Sequence, residues 1–295
     1  MSNESRVTSN ESRITSNESR ITNHEYGNLV LSEIWIYPIK SLGGISMTST
    51  LITKRGLQHD RRWMLVDEDG VFLTQRNFHE MALLQVEIAE SGLKVYHKLR
   101  ETNVLEIPFD AKPLESLTVK IWDDECSAYT VSEAANVWFS EMLNQKCRLV
   151  YMPDDSLRQV DERYAEEGDI TGFSDGYPIL IIGQSALDNL NNRLEESVSM
   201  NRFRPNLVFT GGEPNVEDTW KIFEIGEATF YGVKPCARCV MTTINQNNGK
   251  SGKEPLKTLA TYRKFENKIL FGQNIIPQKI DVNIHLMDKI MVLKC

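Results

Sequence analysis

The chain has 295 residues, 41% of them hydrophobic and 25% charged, with 33 Lys plus Arg against 41 Asp plus Glu and a formal net charge of -8. That composition is globular, with enough chain for two modest domains or one large one, and its acidic balance excludes a protein that wraps nucleic acid. An odd count of 5 cysteines excludes a disulfide framework, and a polar N-terminus with no apolar run of bilayer length points to a cytoplasmic protein that uses no membrane.

Taken from its start, the chain opens on a seven-residue repeat, SNESRVT-SNESRIT-SNESRIT. One Ile or Val per seven offers too little apolar surface for a coiled coil or solenoid, so residues 1–28 read as a disordered tail. Its Asn-Glu-Ser triplets match the glycosylation sequon, an empty match without a secretion signal. From residue 30 to about residue 131, strand follows strand. Trp63-Met64-Leu65-Val66 faces Val71-Phe72-Leu73 across a turn containing Asp69-Gly70, a hairpin pattern. Further strands are predicted over 83–88, 93–96, 104–108 and 117–122. Ser132 then caps a helix whose Ala135, Trp138, Phe139 and Met142 share one face.

A strand over 147–152 leads into an acidic loop over 154–169. Beyond it, strands are predicted over 178–182, 206–209, 229–233, 240–244 and 289–293. Leu187, Leu190 and Leu194 mark a helix, and Pro255 stands at the first turn of another. The pattern predicts an α+β, β-rich chain: a tail over 1–28, a β-barrel-like domain over 29–150 and a mixed barrel-like domain with peripheral helices over 151–295. The Gly211-Gly212 pair reads as a turn after a strand.

The chemistry concentrates in residues 234–263. Cys236 and Cys239 stand beside Lys234 and Arg238, and nearby cations favour the thiolate, which is the form that binds soft metals. A zinc knuckle needs a second ligand pair, and His285 is isolated. A thioredoxin-type C-x-x-C opens a helix, whereas Cys239 leads into β-branched residues. Two inert buried cysteines are the plain reading of an arbitrary C-x-x-C. The five histidines show no metal-ligand spacing, and the phosphate-loop, dinucleotide, nucleophile-elbow and zincin motifs are absent.

The order P-C-x-R-C, then T-T, then E-P-L-x-T-L-x-x-Y-R resembles the core of the MOSC domain family, which binds or processes the molybdenum cofactor. The resemblance runs in order through Tyr37-Pro38-Ile39-Lys40-Ser41, Asp60-Arg61-Arg62-Trp63, Arg202-Phe203-Arg204-Pro205-Asn206 and Phe271-Gly272-Gln273-Asn274. It covers the chain from about Leu29 onward and resembles members with an attached N-terminal β-barrel domain, such as the amidoxime-reducing components. It implies reduction of N-hydroxylated compounds, hydroxylamino-purines and amidoximes among them, at a molybdenum–pterin (molybdopterin) centre with Cys239 as molybdenum ligand and Cys236 as a supporting residue.

By the same resemblance, Lys40, Ser41, Arg61 and Arg204 hold the cofactor's terminal phosphate, where lysine acts as a point charge and arginine as a bidentate fork. Asn206 and Arg238 contact pterin or phosphate, while Arg62 and Arg202 are surface or structural charges. The sequence departs from relatives at Gly176-Tyr177, where some carry Thr-Ser, and at Asn274, where the animal enzymes carry Tyr. With no iron–sulfur cysteine motif, electrons would come from a separate ferredoxin or flavin reductase. The rival readings are a sulfur carrier with a persulfide on Cys239, without pyridoxal phosphate, and a non-catalytic cofactor-binding protein. Charge balance further predicts that Lys40, Arg61 and Arg204 line one cleft with the Cys239 sulfur at its inner end.

Overall fold

A computed structural model of the chain describes residues 28–101 and 103–295. Apart from Asn28, the tail predicted over 1–28 lies outside the described residues. The architecture is α+β and dominated by strands, with a nine-stranded sheet, a four-stranded sheet and two three-stranded ones.

The large sheet runs in the order Ile290–Lys294, Ile222–Ile225, Ala228–Ala237, Lys268–Pro277, Ile179–Gly183, Leu207–Thr210, Val30–Ile36 and Ile45–Met47, with Lys264–Phe265 paired to Lys268–Pro277. Its core draws on both ends of the chain. Leu31, Ile34 and Ile36 pack with Ile181, Phe209, Phe223, Phe230 and Ile275, all at most 1% exposed. Ile179–Gly183 and Leu207–Thr210 are parallel, a pairing that requires a crossover, and the helix Gln184–Asn191 supplies it. Gly211, at φ +92, ends the second of these strands as a turn; a Cβ there would stand 2.5 Å from the Asn28 carbonyl oxygen.

The remaining sheets belong mainly to the first half. Trp63–Val66, Arg148–Tyr151, Asp124–Thr130 and Ser116–Ile121 form the four-stranded one, and Leu84–Ala89, Gly92–His97 and Leu105–Pro108 form a meander. Ser132 caps the helix Glu133–Leu143, its Oγ accepting from the Ala135 N–H at 3.1 Å. Ala135 and Phe139 of that helix are fully buried against Leu84, Val86 and Leu149. The predicted 63–73 hairpin closes through a bridge of Val66 with Phe72.

Several expectations need correction. The predicted strand over 240–244 is a 3-10 turn, Val240–Thr243. The Thr242 and Thr243 hydroxyls donate back to the Cys239 and Val240 carbonyls at 3.0 and 2.7 Å, closing a turn that β-branching alone disguises. Strands Asp124–Thr130, Ile222–Ile225 and Lys268–Pro277 escaped the sequence reading. Leu194 lies past the end of its helix, and Pro255 stands one residue before a short helix, Leu256–Leu259. Among the described residues no helix is long and apolar enough to cross a membrane.

Candidate functional site

Both halves of the chain contribute to a cleft of about 320 Å³. Lys40, Ser41, Arg61 and Arg76 line it from the first half; Asp175, Tyr177, Arg204, Asn206, Cys236, Arg238, Cys239 and Asn274 line it from the second. All the residues that the resemblance selected for the site are therefore neighbours in space, although they span 235 positions of sequence between Lys40 and Asn274 inclusive.

Two of its lining arginines rest on the buried Tyr37 ring. The Arg61 and Arg204 guanidinium carbons lie over the Tyr37 ring, 4.3 and 4.2 Å from its centroid. The Tyr37 hydroxyl donates to the Pro205 carbonyl at 3.0 Å, and burial raises its pKa to about 12. Asp60 is the counter-charge: it pairs with Arg61 at 2.6 Å and accepts from the Tyr37 N–H at 2.7 Å. Arg204 is 5% exposed, its Nη2 is buried without a partner, and burial lowers its pKa from 12.5 to about 10. Two guanidiniums thus share one ring with a single adjacent carboxylate.

A second charged group sits beside the first. The Lys40 ammonium, 4% exposed, donates to the Phe173 carbonyl at 2.7 Å and to Asp175 at 2.6 Å. Asp175 also accepts from Arg76 at 2.8 Å. The pair is unequal. Burial pulls the Lys40 pKa down to about 8 despite Asp175, whereas Asp175, which burial would raise, is held far below the carboxylate range by two cations.

Arg76 reaches further, its Nη2 donating to the Cys239 sulfur at 3.3 Å. Cys239 itself ends the excursion after the strand Ala228–Ala237 and is the N-cap residue of the 3-10 turn. Cys236 accepts from Arg238 Nη1 at 3.0 Å, and Arg238 also donates to the Phe203 carbonyl at 2.6 Å. Both cysteines are free and half-buried at the cleft, unlike an inert buried pair. Each sulfur has its own guanidinium.

Three non-glycine residues of the cleft occupy the left-handed region: Ser41 at φ +68, Arg61 at +46 and Arg204 at +53. Such backbone is costly outside glycine and persists only where the surroundings fix it. Here the Tyr37–Arg61 segment is braced by the Arg61 N–H to the Tyr37 carbonyl at 2.9 Å and by the Phe173 N–H to the Arg61 carbonyl at 2.7 Å.

Asn206 lines the cleft, but its amide is engaged by the backbone, accepting from the Leu180 N–H at 3.2 Å and donating to the Trp35 carbonyl at 3.1 Å. Asn274 donates to the Lys234 carbonyl at 3.2 Å. At the position of the departing Gly176-Tyr177 pair, the Tyr177 hydroxyl is buried without a partner. Arg62 lies apart, bonded to Tyr151, the Met152 carbonyl and Asp154, and Arg202 clamps the Thr242 and Glu254 carbonyls at the cleft edge. Arg76, Asp175 and Tyr37 were missed as site residues. No spacing in the sequence joins them to Cys239, and only the fold does.

Two family models match the chain: the MOSC N-terminal beta barrel domain over residues 28–146 and the MOSC domain over residues 168–284. Mitochondrial amidoxime-reducing component 1 of Mus musculus is 33% identical over 244 residues, covering 79% of this chain and 71% of that protein. Its Homo sapiens counterpart is 30% identical over 265 residues, covering 83% and 78%. The molybdenum cofactor sulfurase of Oryza sativa subsp. japonica is 33% identical over 265 residues, 82% of this chain but only 32% of that protein. The chain spans about a third of the length of this relative and of the molybdenum cofactor sulfurase of Arabidopsis thaliana, to which it is also 33% identical.

Proposed function

Since this chain belongs to the MOSC family, with the family's N-terminal barrel ahead of its MOSC domain, we propose that it is a molybdenum-cofactor-dependent oxidoreductase of N-hydroxylated compounds, amidoximes and hydroxylamino-purines among them. The overall change is the reduction of R–NHOH by two electrons and two protons to R–NH2 and water. The observation that carries the reading is a half-buried cysteine sulfur in the same cleft as buried cations whose donors lack partners.

The residues present fit such a group. Arg204 Nη2, Arg238 Nε and the Tyr177 hydroxyl are buried polar atoms without partners, an arrangement that costs free energy until an acceptor arrives. Lys40, Ser41, Arg61 and Arg204 would hold the phosphate, and Arg238 and Asn274 the pterin edge, with Asn206 fixing the strand that carries it. Cys239 would be the protein's ligand to molybdenum, a soft thiolate matched to a soft metal. Among the described residues no cluster of three or more His, Cys, Asp or Glu offers a full coordination set, so the remaining ligands would come from the cofactor and solvent.

When bound, the cofactor supplies a centre that exchanges two electrons and an oxygen atom. The chain's own work is positional. Arg76 fixes the Cys239 sulfur and Asp175 together, the Tyr37 ring backs Arg61 and Arg204, and the Phe203 ring walls the cleft and limits water around the anion. Electrons would arrive singly from a separate donor protein, a ferredoxin or a flavin reductase.

The likeness to plant molybdenum cofactor sulfurases favours a second reading, in which Cys239 carries a persulfide to a metal centre. Metal analysis and mass spectrometry of protein made in a cofactor-competent host separate the two. Near-stoichiometric molybdenum with turnover of benzamidoxime under a chemical reductant is the expected result. A persulfide without metal overturns the reductase reading, and metal without turnover reduces it to a cofactor-binding protein.

A further inference from the structure

We propose that Trp122 is the platform on which a planar aromatic N-hydroxylated substrate stacks while its N–O group reaches the centre held at Cys239. The inference rests on the reductase reading above.

Trp122 occupies the tight turn between Ser116–Ile121 and Asp124–Thr130, where Ile121 pairs directly with Asp124. Its backbone is left-handed at φ +56, a conformation costly for so bulky a residue, and its side chain is 46% exposed. Burial does not account for a large apolar ring left half in water on a strained turn. The ring is nonetheless held in place. The Arg76 guanidinium lies over it, 4.8 Å from the centroid, and the Phe72 ring meets it edge-on at 5.0 Å and 65°.

The same Arg76 donates to the Cys239 sulfur at 3.3 Å and to Asp175 at 2.8 Å. One guanidinium therefore separates the exposed indole from the sulfur proposed to bind the metal. Inside the cleft the walls are cationic and suited to an anionic cofactor, which would itself cover the apolar surface they carry. Just outside, Trp122 supplies further apolar surface, and Val240, the residue after Cys239, is 57% exposed. A substrate whose polar N–O end points at Cys239 while its flat body rests on apolar surface finds that surface at Trp122. Amidoximes and N-hydroxylated purines with an aromatic ring have this shape; small aliphatic amidoximes do not.

The test uses the full-length, cofactor-loaded protein with a chemical reductant and two probes, benzamidoxime and acetamidoxime. Trp122→Ala is expected to lower the ratio of kcat/KM for benzamidoxime over acetamidoxime about tenfold, the loss of one ring stack, mainly through KM. Trp122→Phe restores most of that ratio. An unchanged ratio in the alanine variant, whether the two rates fall together or hold, overturns the platform. A second readout needs no turnover: saturation-transfer NMR with benzamidoxime on unreduced protein should mark the ring protons in wild type and Trp122→Phe and lose them in Trp122→Ala. Undiminished transfer in the alanine variant also overturns it. If the wild type reduces neither probe, the reductase reading fails, and the NMR comparison still decides whether Trp122 holds the ring.

Discussion

Replacing Arg204 by methionine should stabilise the cofactor-free protein while impairing its capacity to hold the cofactor. Arg204 is 5% exposed, with one nitrogen buried and unpartnered, and burial lowers its pKa from 12.5 to about 10. For a base whose folded pKa is depressed, the cost of keeping the charge is present at every pH below about 10 and fades as pH rises toward 12.5. Taken at about 1.4 kcal/mol per pH unit, that cost is roughly 3 kcal/mol at neutral pH. Methionine removes it, keeps most of the apolar stem, and forfeits the contact with the Tyr37 ring, about 1 kcal/mol. The expected net gain is about 1–2 kcal/mol, read as a higher urea midpoint at unchanged slope. Molybdenum content of protein made in a competent host should fall several-fold in the same variant. An unfolding free energy lowered by about 2 kcal/mol or more, the usual cost of damaging a packed core, would refute the view that Arg204 is held against its own solvation for a ligand.

The remaining expectations are narrower. Inorganic phosphate should raise the melting temperature of cofactor-free wild type by mass action but have little effect on Arg204→Met; equal shifts in both would place the anion elsewhere. Cys239→Ser should abolish both molybdenum retention and benzamidoxime reduction, whereas Cys236→Ser should keep most of each, and equal loss in the two would indicate a shared dithiol site. Glu217, fully buried with Oε1 accepting from the Gly183 N–H at 3.1 Å and Oε2 unpartnered, has its pKa raised by burial from 4.5 to about 7. An acid raised in the folded state costs stability as pH climbs through that window, so Glu217→Gln should flatten the loss between pH 5 and pH 8 (roughly 3 kcal/mol at most), and an unchanged pH slope of the urea midpoint would contradict this.

Local pattern made much of the first half legible. The meander over residues 84–108 alternates well enough to be read, and Ser132 announces its helix by cap chemistry. The strand Lys268–Pro277 was not legible because its centre carries Gln273 and Asn274, polar residues that break an apolar run yet sit between two paired neighbours. Asp124–Thr130 hides its alternation behind an acidic start and small buried residues, Cys126 and Ala128. That Val30–Ile36 joins the sheet of the second half is a matter of tertiary pairing with Leu207–Thr210, which periodicity does not encode. At the site, Cys239 drew notice by its C-x-x-C beside cations, but its role, and Lys40, Arg61 and Arg204, were found by family pattern. Arg76 and Asp175 carry no signal of their own, since their meaning lies in the bonds each makes to residues at least 99 positions away.

An acidic chain that gathers cations this closely must be compensated by something outside itself. Seven of the residues lining the cleft are Lys or Arg, and Asp175 is its one acidic lining residue, with Asp60 paired to Arg61. Within the fold these charges are held out of water, as the pKa values of Lys40 and Arg204, lowered chiefly by burial, record, and the left-handed backbone at Ser41, Arg61 and Arg204 adds conformational cost in the same place. A structural network would instead interleave carboxylates until each guanidinium was paired, as Arg263 is with Asp218 away from the cleft lining. The cleft leaves Arg204 and Arg238 each with a buried nitrogen unsatisfied. Such an arrangement is stable enough to persist only because the surrounding sheets are well packed, and it becomes favourable when a multiply charged anion enters. Cofactor affinity and the local instability of the cofactor-free cleft are therefore two expressions of the same unpaired charge.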